Sequence, residues 1–208
     1  MAEPEPRGRL IVIAAPSGAG KTTLVHALIR RNPDFVFSVS YTTRPKRPNE
    51  EHGRDYFFVS EEEFRRLQRA GEFLESARVF DNYYGTSRTQ VESELAQGRN
   101  VVLEIDWQGA RQVRAAMPEC RSIFILPPSV EALEERLRSR RTDSEAVIRR
   151  RLRDSLSDLS HWDEFDYVVI NDDLERAIDE LEGIATGRYR RNRVGAEATR
   201  KKLAHLLV

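Results

Sequence analysis

One stretch limits the folds open to this chain more than any other: residues 10–31, LIVIAAPSGAGKTTLVHALIRR. It begins with Leu10-Ile11-Val12-Ile13-Ala14, a short apolar run rich in β-branched residues that suits a strand buried on both faces. It ends in a segment where Leu24, Ala27 and Leu28 recur at helical spacing. Between the two lies Ala15-Pro16-Ser17-Gly18-Ala19-Gly20-Lys21-Thr22-Thr23. A glycine-rich turn joining a buried strand to a helix aims several backbone N–H groups at one point, which becomes an anion site. Lys21 adds a mobile positive charge suited to β- and γ-phosphates, and the Thr22 hydroxyl can reach a bridging Mg²⁺. The strict pattern has glycine where this chain has Ala15, which leaves open how the turn begins. The motif specifies a nucleoside triphosphate. It does not specify the nucleoside or the phosphoryl acceptor.

Composition removes several function classes. With 208 residues, 39% hydrophobic and 33% charged, the chain can bury one core with elaborations beneath a heavily charged surface. Lys plus Arg and Asp plus Glu both number 34, so there is no global basic field for nucleic acid. Cys120 is the only cysteine, which excludes an internal disulfide and fits a reducing, cytoplasmic setting. His26, His52, His161 and His205 are scattered without zinc-ligand spacing. No apolar run is long enough to span a bilayer, and residues 1–9 lack the apolar core of a signal peptide. Neither a membrane nor a nucleic acid is therefore expected as a partner. Monomer and homodimer both stay open.

Strand and helix patterns alternate along the chain, which predicts an α/β fold with a mainly parallel sheet. Strand patterns fall at 35–40, 55–59, 100–105, 122–126 and 167–171, and helical ones at 87–97, 111–117, from 130 onward, and from 174 toward 187. Two prolines keep the polar, basic stretch 41–50 from being a helix or a central strand. Arg44 and Arg47 within it are spaced to clamp a phosphate, although alone the stretch reads equally as a solvated basic loop. Ser60 and Glu63 predict a capping box for a helix whose apolar face is Phe64 and Leu67. Extended structure restarts at 71–75, and 82–87 reads as a turn carrying two tyrosines. Residues 40–87 thus look like a small insertion on an α/β core. Asp106-Trp107-Gln108-Gly109 follows a buried strand at its carboxyl end, where open α/β sheets put their ligands. Eight arginines lie between 136 and 153, split by a Ser/Thr/Asp turn. Arg136 and Arg140 share a helix face, as do Arg149 and Arg153. Arginine without lysine, flanking a turn in a chain of zero net charge, points beyond a merely solvated face. The segment from 188 is basic and mildly helical.

A phosphate loop, an inserted module with arginines and tyrosines, and an arginine-rich hairpin suit phosphoryl transfer, which needs positioning and charge neutralisation more than covalent help. No serine, cysteine or histidine nucleophile with a paired base is visible. The loop and Mg²⁺ would hold the donor and the module the acceptor, while the hairpin closes to exclude water.

The runs SVSYTTRPKRPNEEHGRDYFFV, GEFLESARVFDNYYGTS, LEIDWQG, LPPSVEALEERLRSR and VVINDDL, in this order, resemble the guanylate kinase family over about residues 10–187. The resemblance implies a P-loop nucleoside monophosphate kinase fold. Its core would comprise 1–39, 88–134 and 153–187, with a GMP-binding α+β module at 40–87, an arginine-rich helical lid at 135–152 and a basic tail at 188–208. It implies phosphorylation of GMP by ATP with Mg²⁺. Carried over by position, Arg44, Arg47, Tyr56 and Tyr84 would meet the GMP phosphate, and Ser40, Glu75 and Thr86 the guanine. Asp106, followed by Gly109, would lie between the two nucleotides. Ala15 through Thr23 would bind ATP, with Asn171 near the donor base and Thr22 at the metal. Lys21, Arg44, Arg136, Arg140 and Arg151 would supply the catalytic charges.

Glu75 also makes independent sense, because guanine offers adjacent N1–H and N2–H donors whereas adenine offers a lone pair at N1. Three departures stand out. Thr86 replaces a common serine and keeps the hydroxyl, Glu104 stands where aspartate is frequent, and the tail is longer than the shared pattern. The rival reading is a guanylate-kinase-like interaction scaffold without catalysis, but such modules lose the phosphate loop that is intact here. A GTP hydrolase would carry an Asn-Lys-x-Asp motif, which is absent. RNA binding by the tail has only Tyr189 as an interleaved aromatic.

Overall fold

Five consecutive apolar residues cannot alternate inward and outward, so both faces of the strand they form must be covered. Leu10–Ala14 is that strand, β1, and it is buried at every position. The computed structural model describes residues 7–79, 81–139, 145–189, 192–197 and 199. After β1 come α1 Lys21–Arg31, β2 Phe35–Phe37, β3 Tyr41–Thr42, β4 Phe57–Phe58, α2 Glu61–Arg69, β5 Phe73–Val79 and β6 Asn82–Ser87. There follow α3 Arg88–Ala96, β7 Asn100–Glu104, α4 Trp107–Ala116, β8 Arg121–Leu126, α5 Val130–Ser139 and α6 Glu145–Leu159. A 3-10 turn at Trp162–Glu164 then leads to β9 Tyr167–Ile170 and α7 Leu174–Thr186.

The core sheet has five strands in the order β2-β7-β1-β8-β9, and every pairing in it is parallel. Side chains alternate across β1. Leu10, Val12 and Ala14 join α3, α4, α5 and α6 on one face. Ile11 and Ile13 join α1 and α7 on the other. The two-sided burial read from the apolar run is therefore what the sheet provides.

Residues 41–87 build a second sheet of four strands in the order β4-β3-β6-β5, with α2 packed on it through Phe64 and its neighbour Phe73. Three expectations are corrected here. Tyr41 and Thr42 form a strand between β4 and β6, because both prolines of that stretch lie beyond it. Asn82–Ser87 is strand β6, paired antiparallel with β5, so cross-strand bonding overrides the turn tendency of its Asn and Gly. The box at α2 is half-formed: the Ser60 hydroxyl accepts from the Glu63 N–H at 3.1 Å, but the Glu63 carboxylate turns to Arg66.

The helix expected at 111–117 begins earlier, at Trp107, because the Asp106 side chain caps it by accepting from the Gly109 N–H at 2.8 Å. Beyond α7, which ends at Gly187 with φ of 86°, the chain returns to the sheet. Asn192 exchanges bonds with Val168 (3.0 Å between backbones, 3.1 Å from its side chain), and the Val194 N–H bonds the Asp166 carbonyl at 3.1 Å. This short antiparallel run closes the open edge of β9. Among the described residues no helix is long and apolar enough to cross a membrane.

Candidate active site

The carboxyl ends of β1, β7 and β9 converge on the glycine-rich turn. Gly18 and Gly20 take φ of 91° and 93°, a left-handed conformation that other residues adopt only with strain. Gly20 is the N-cap of α1, so the turn opens directly onto that helix terminus. Neighbouring elements hold the turn by its carbonyls. Asn171, at the end of β9, donates from Nδ2 to the Ala19 carbonyl at 2.8 Å, and a Cβ on Gly20 would meet that Nδ2 at 2.3 Å. Arg136, from α5, donates to the Asn171 carbonyl at 3.0 Å and to the Ala19 carbonyl at 3.4 Å. The buried Ser155 hydroxyl, from α6, donates to the Ser17 carbonyl at 3.2 Å. Asn171 and Arg136, expected at the donor base and in the lid, stand directly behind the glycine-rich turn.

Two side chains of the turn reach across to the carboxyl end of β7 and the residue after it. Lys21 Nζ donates to the Ile105 carbonyl at 2.9 Å. The Thr22 hydroxyl donates to the Glu104 carboxylate at 2.6 Å. Aspartate and glutamate both offer this carboxylate, so the departure at 104 keeps its chemistry. A cavity of about 600 Å³ runs along the turn from Ala15 to Thr23, past Asp106 and Trp107 to Arg150, Asp154 and Asp158 of α6. Trp107 is fixed there by its Nε1–H donating to Asp158 at 3.1 Å and by stacking on His161, with ring centres 3.6 Å apart. Burial pushes Asp158 above the ordinary carboxylate range. Arg151 lies half-buried on α6. Arg140 falls outside the described residues.

A second cavity, about 300 Å³, adjoins the first and shares Ser17, Lys21, Val79 and Asp106 with it. Its other walls come from the second sheet and β7: Ser40, Tyr56, Glu75, Ala77, Tyr84, Glu104 and Ile105. Glu75 is only 4% exposed, and Thr86, also buried, donates its hydroxyl to Oε1 at 2.6 Å. Burial pushes the Glu75 carboxyl up to about 7. Gly109 leaves the room that carboxylate occupies, since a Cβ there would lie 2.6 Å from Oε2. Tyr56 is pushed up to about 12 by burial, so its hydroxyl stays a donor at neutral pH. Its ring meets that of Tyr84 edge-on at 5.9 Å.

Arg44 sits 5.4 Å from the Tyr56 ring centre. Its guanidinium is clamped by Glu50 through bonds of 2.7 and 3.0 Å and by the Pro45 carbonyl at 2.8 Å. Glu50 is held below the usual carboxylate range by Arg44, and it also accepts from the Arg47 N–H at 2.8 Å. The Arg47 side chain is largely exposed, 4.0 Å from Glu50. Sequence reasoning missed Glu50; the signal was an acidic residue inside an otherwise basic loop. It also missed Ser155, which nothing in the local pattern distinguishes from other helix-surface serines.

Two adjoining cavities meet at a lysine and an aspartate, one along the glycine-rich turn and one around a buried carboxylate and a tyrosine pair. Other chains resemble this one in sequence and in shape. A sequence model described as guanylate kinase matches residues 7–186. A guanylate kinase of Methylococcus capsulatus is 59% identical over 178 residues, 86% of this chain and 87% of that protein. One from Hahella chejuensis is 56% identical over 178 residues, 86% of each chain. The crystal structure of guanylate kinase from Anaplasma phagocytophilum superposes with a TM-score of 0.73 at 34% identity, covering 95% of this chain and 94% of that one.

Proposed function

This chain belongs to the guanylate kinase family, and from that premise we propose how its own residues move a phosphoryl group from ATP to GMP. The observation that carries the reading is the junction of the two cavities: Lys21 and Asp106 line both, so donor and acceptor would meet beside one ammonium. The larger cavity takes ATP, with its phosphates against the N–H groups of residues 15–23 at the start of α1. The smaller takes GMP, its guanine toward Glu75, Thr86 and Ser40 and its phosphate toward Arg44, Arg47, Tyr56 and Tyr84.

The acceptor phosphate has a second pKa of about 6 and is mostly ionised at pH 7, so no general base is needed. Catalysis then rests on charge and alignment. Lys21 leaves the Ile105 carbonyl for the β- and γ-phosphoryl oxygens. Arg44, oriented by Glu50, holds the attacking phosphate. Arg151 and Arg140 add charge from the lid. Arg136 and Asn171 keep the turn rigid through the Ala19 carbonyl.

A divalent cation fits the residues present. Thr22 and Glu104 offer hard oxygen donors beside the phosphate turn, and no group of three or more acidic, histidine or cysteine side chains among the described residues would hold a metal by itself. Such a site suits Mg²⁺ carried largely by the phosphates of ATP. When bound, Mg²⁺ would neutralise negative charge on the phosphates of ATP. Thr22 would be its protein ligand, with Glu104 behind the hydroxyl.

A coupled assay of ADP release with ATP, Mg²⁺ and each of GMP, AMP, CMP and UMP tests the reading. GMP alone should turn over rapidly. Comparable rates with AMP would reject the guanine assignment, and no turnover with any acceptor would favour the scaffold.

A further inference from the structure

Strand β5 is the edge of the second sheet that packs on α4. An edge strand has one row of backbone groups without a ladder partner. At Ser76 a side chain from the core closes that row. Gln112, on α4, accepts from the Ser76 N–H through Oε1 at 3.1 Å and donates from Nε2 to the Ser76 carbonyl at 2.9 Å. The Ser76 hydroxyl accepts in turn from Gln68 of α2 at 2.9 Å. One residue of β5 is thus held by three hydrogen bonds from two side chains, and it is the residue after Glu75.

The ladder to β6 does not by itself fix where Glu75 points. Phe73 pairs with Ser87 and Glu75 with Thr86, so β5 carries one extra residue at this point. Such a bulge bends its strand and re-aims the next side chain. Directly past it, the Glu75 carboxylate occupies the space that Gly109 leaves on α4. Gly109 and Gln112 stand three residues apart and are neighbours on one helix face. Helix α4 therefore offers a gap and a clamp one turn apart. The gap receives the carboxylate; the clamp receives the peptide groups that follow it.

We infer that Gln112 is a positioning residue for acceptor recognition. By pairing with both backbone groups of Ser76, it seats the bulged strand so that the Glu75 carboxylate faces the acceptor cavity from against Gly109. Gln112 lines neither cavity, so its effect on GMP passes through Glu75. The inference rests on the reading of Glu75 as the group that recognises guanine.

Steady-state kinetics with GMP, AMP and ATP on the full chain, Gln112→Ala, Gln112→Glu and Glu75→Gln test it. Alanine suits the exposed helix position and removes both bonds. Glutamate keeps an acceptor for the Ser76 N–H but sets a second oxygen against the Ser76 carbonyl. In Gln112→Ala, KM for GMP should rise by a factor of about 5, the low end for two exposed hydrogen bonds. The GMP:AMP ratio of kcat/KM should fall by a similar factor, with KM for ATP unchanged. Gln112→Glu should be impaired at least as much. If Gln112 only stabilises the fold, its variants will lose active fraction and apparent kcat, while KM for GMP and the GMP:AMP ratio match the unsubstituted chain; that result overturns the inference. If Glu75→Gln also leaves the ratio unchanged, the guanine reading itself is wrong. If Glu75→Gln shifts the ratio and neither Gln112 variant does, the reading stands and the role of Gln112 falls.

Discussion

Glu75→Gln should make the apo protein more stable and the enzyme worse, and pH separates the two effects. The buried carboxyl titrates at about 7, against 4.5 for an exposed one. Its folded-state pKa is raised, so the folded chain binds the proton more tightly than the unfolded chain. The stabilisation this gives is fully present below the unfolded value and is lost as pH rises through the folded one. At about 1.36 kcal/mol per unit, ionising the carboxyl inside the site costs about 3 kcal/mol above pH 7. Glutamine keeps the shape, can still accept from the Thr86 hydroxyl, and carries no charge. Urea unfolding of the apo proteins should therefore give free energies within about 1 kcal/mol of each other near pH 4.5. The variant should lead by about 3 kcal/mol near pH 8. On the proposed reading, Glu75 accepts from guanine in its ionised form. KM for GMP should accordingly rise about tenfold per pH unit below 7 in the unsubstituted chain, beyond any trend in the variant, which shares the titration of the GMP phosphate. A stability difference that stays constant between about pH 4.5 and 8 would show that burial does not hold this carboxyl near 7, and the pH argument would fail with it.

Lys21→Ala should lower kcat by at least about 100-fold while costing no more than about 1 kcal/mol in urea unfolding, the worth of its bond to the Ile105 carbonyl, since the ammonium otherwise faces the cavities. Gly20→Ala adds a Cβ at φ 93° and 2.3 Å from Asn171 Nδ2, so it should cost at least about 1–2 kcal/mol in urea unfolding and raise KM for ATP. Truncation before Asn192 removes the bonds to β9 and the buried Val194. It should cost about 3 kcal/mol of stability by the same method, yet leave kcat per folded molecule unchanged.

How far the sequence reaches depends on whether a residue's role is local. Gly18 and Gly20 are legible because their left-handed backbone is demanded by the turn itself, and β1 because five apolar residues in a row need two covered faces. Asn82–Ser87 is not legible as a strand, since its Asn and Gly favour a turn and only β5 makes it extended. The start of α4 is hidden for a related reason. Trp107 and Gly109 are poor helix formers, and the useful clue is Asp106, whose side chain caps the N–H three residues on. The behaviour of Arg136 and Asn171 depends on the distant Ala19 carbonyl, a partner that spacing along the chain cannot supply. Gln112 looks like any polar residue on a helix surface until β5 is laid beside it.

The position of β1 has a consequence for synthesis. The first strand made is the middle one of its sheet: Leu10 pairs with Val101, and Ile11 pairs with both Val102 and Arg121. While the ribosome extends the chain toward those partners, LIVIA has two open edges and two uncovered faces. Such a strand is a template for wrong pairing. Over the same interval all four strands of the second sheet emerge, because they run from Tyr41 to Ser87, while α4, whose Gln112 holds β5, comes later. The nascent chain can therefore pair the strands of its second sheet while the glycine-rich turn is still tethered to an unpaired strand. Destabilising that strand's later partners, β7 and β8, should lower the soluble yield more than an equal destabilisation of β5 or β6.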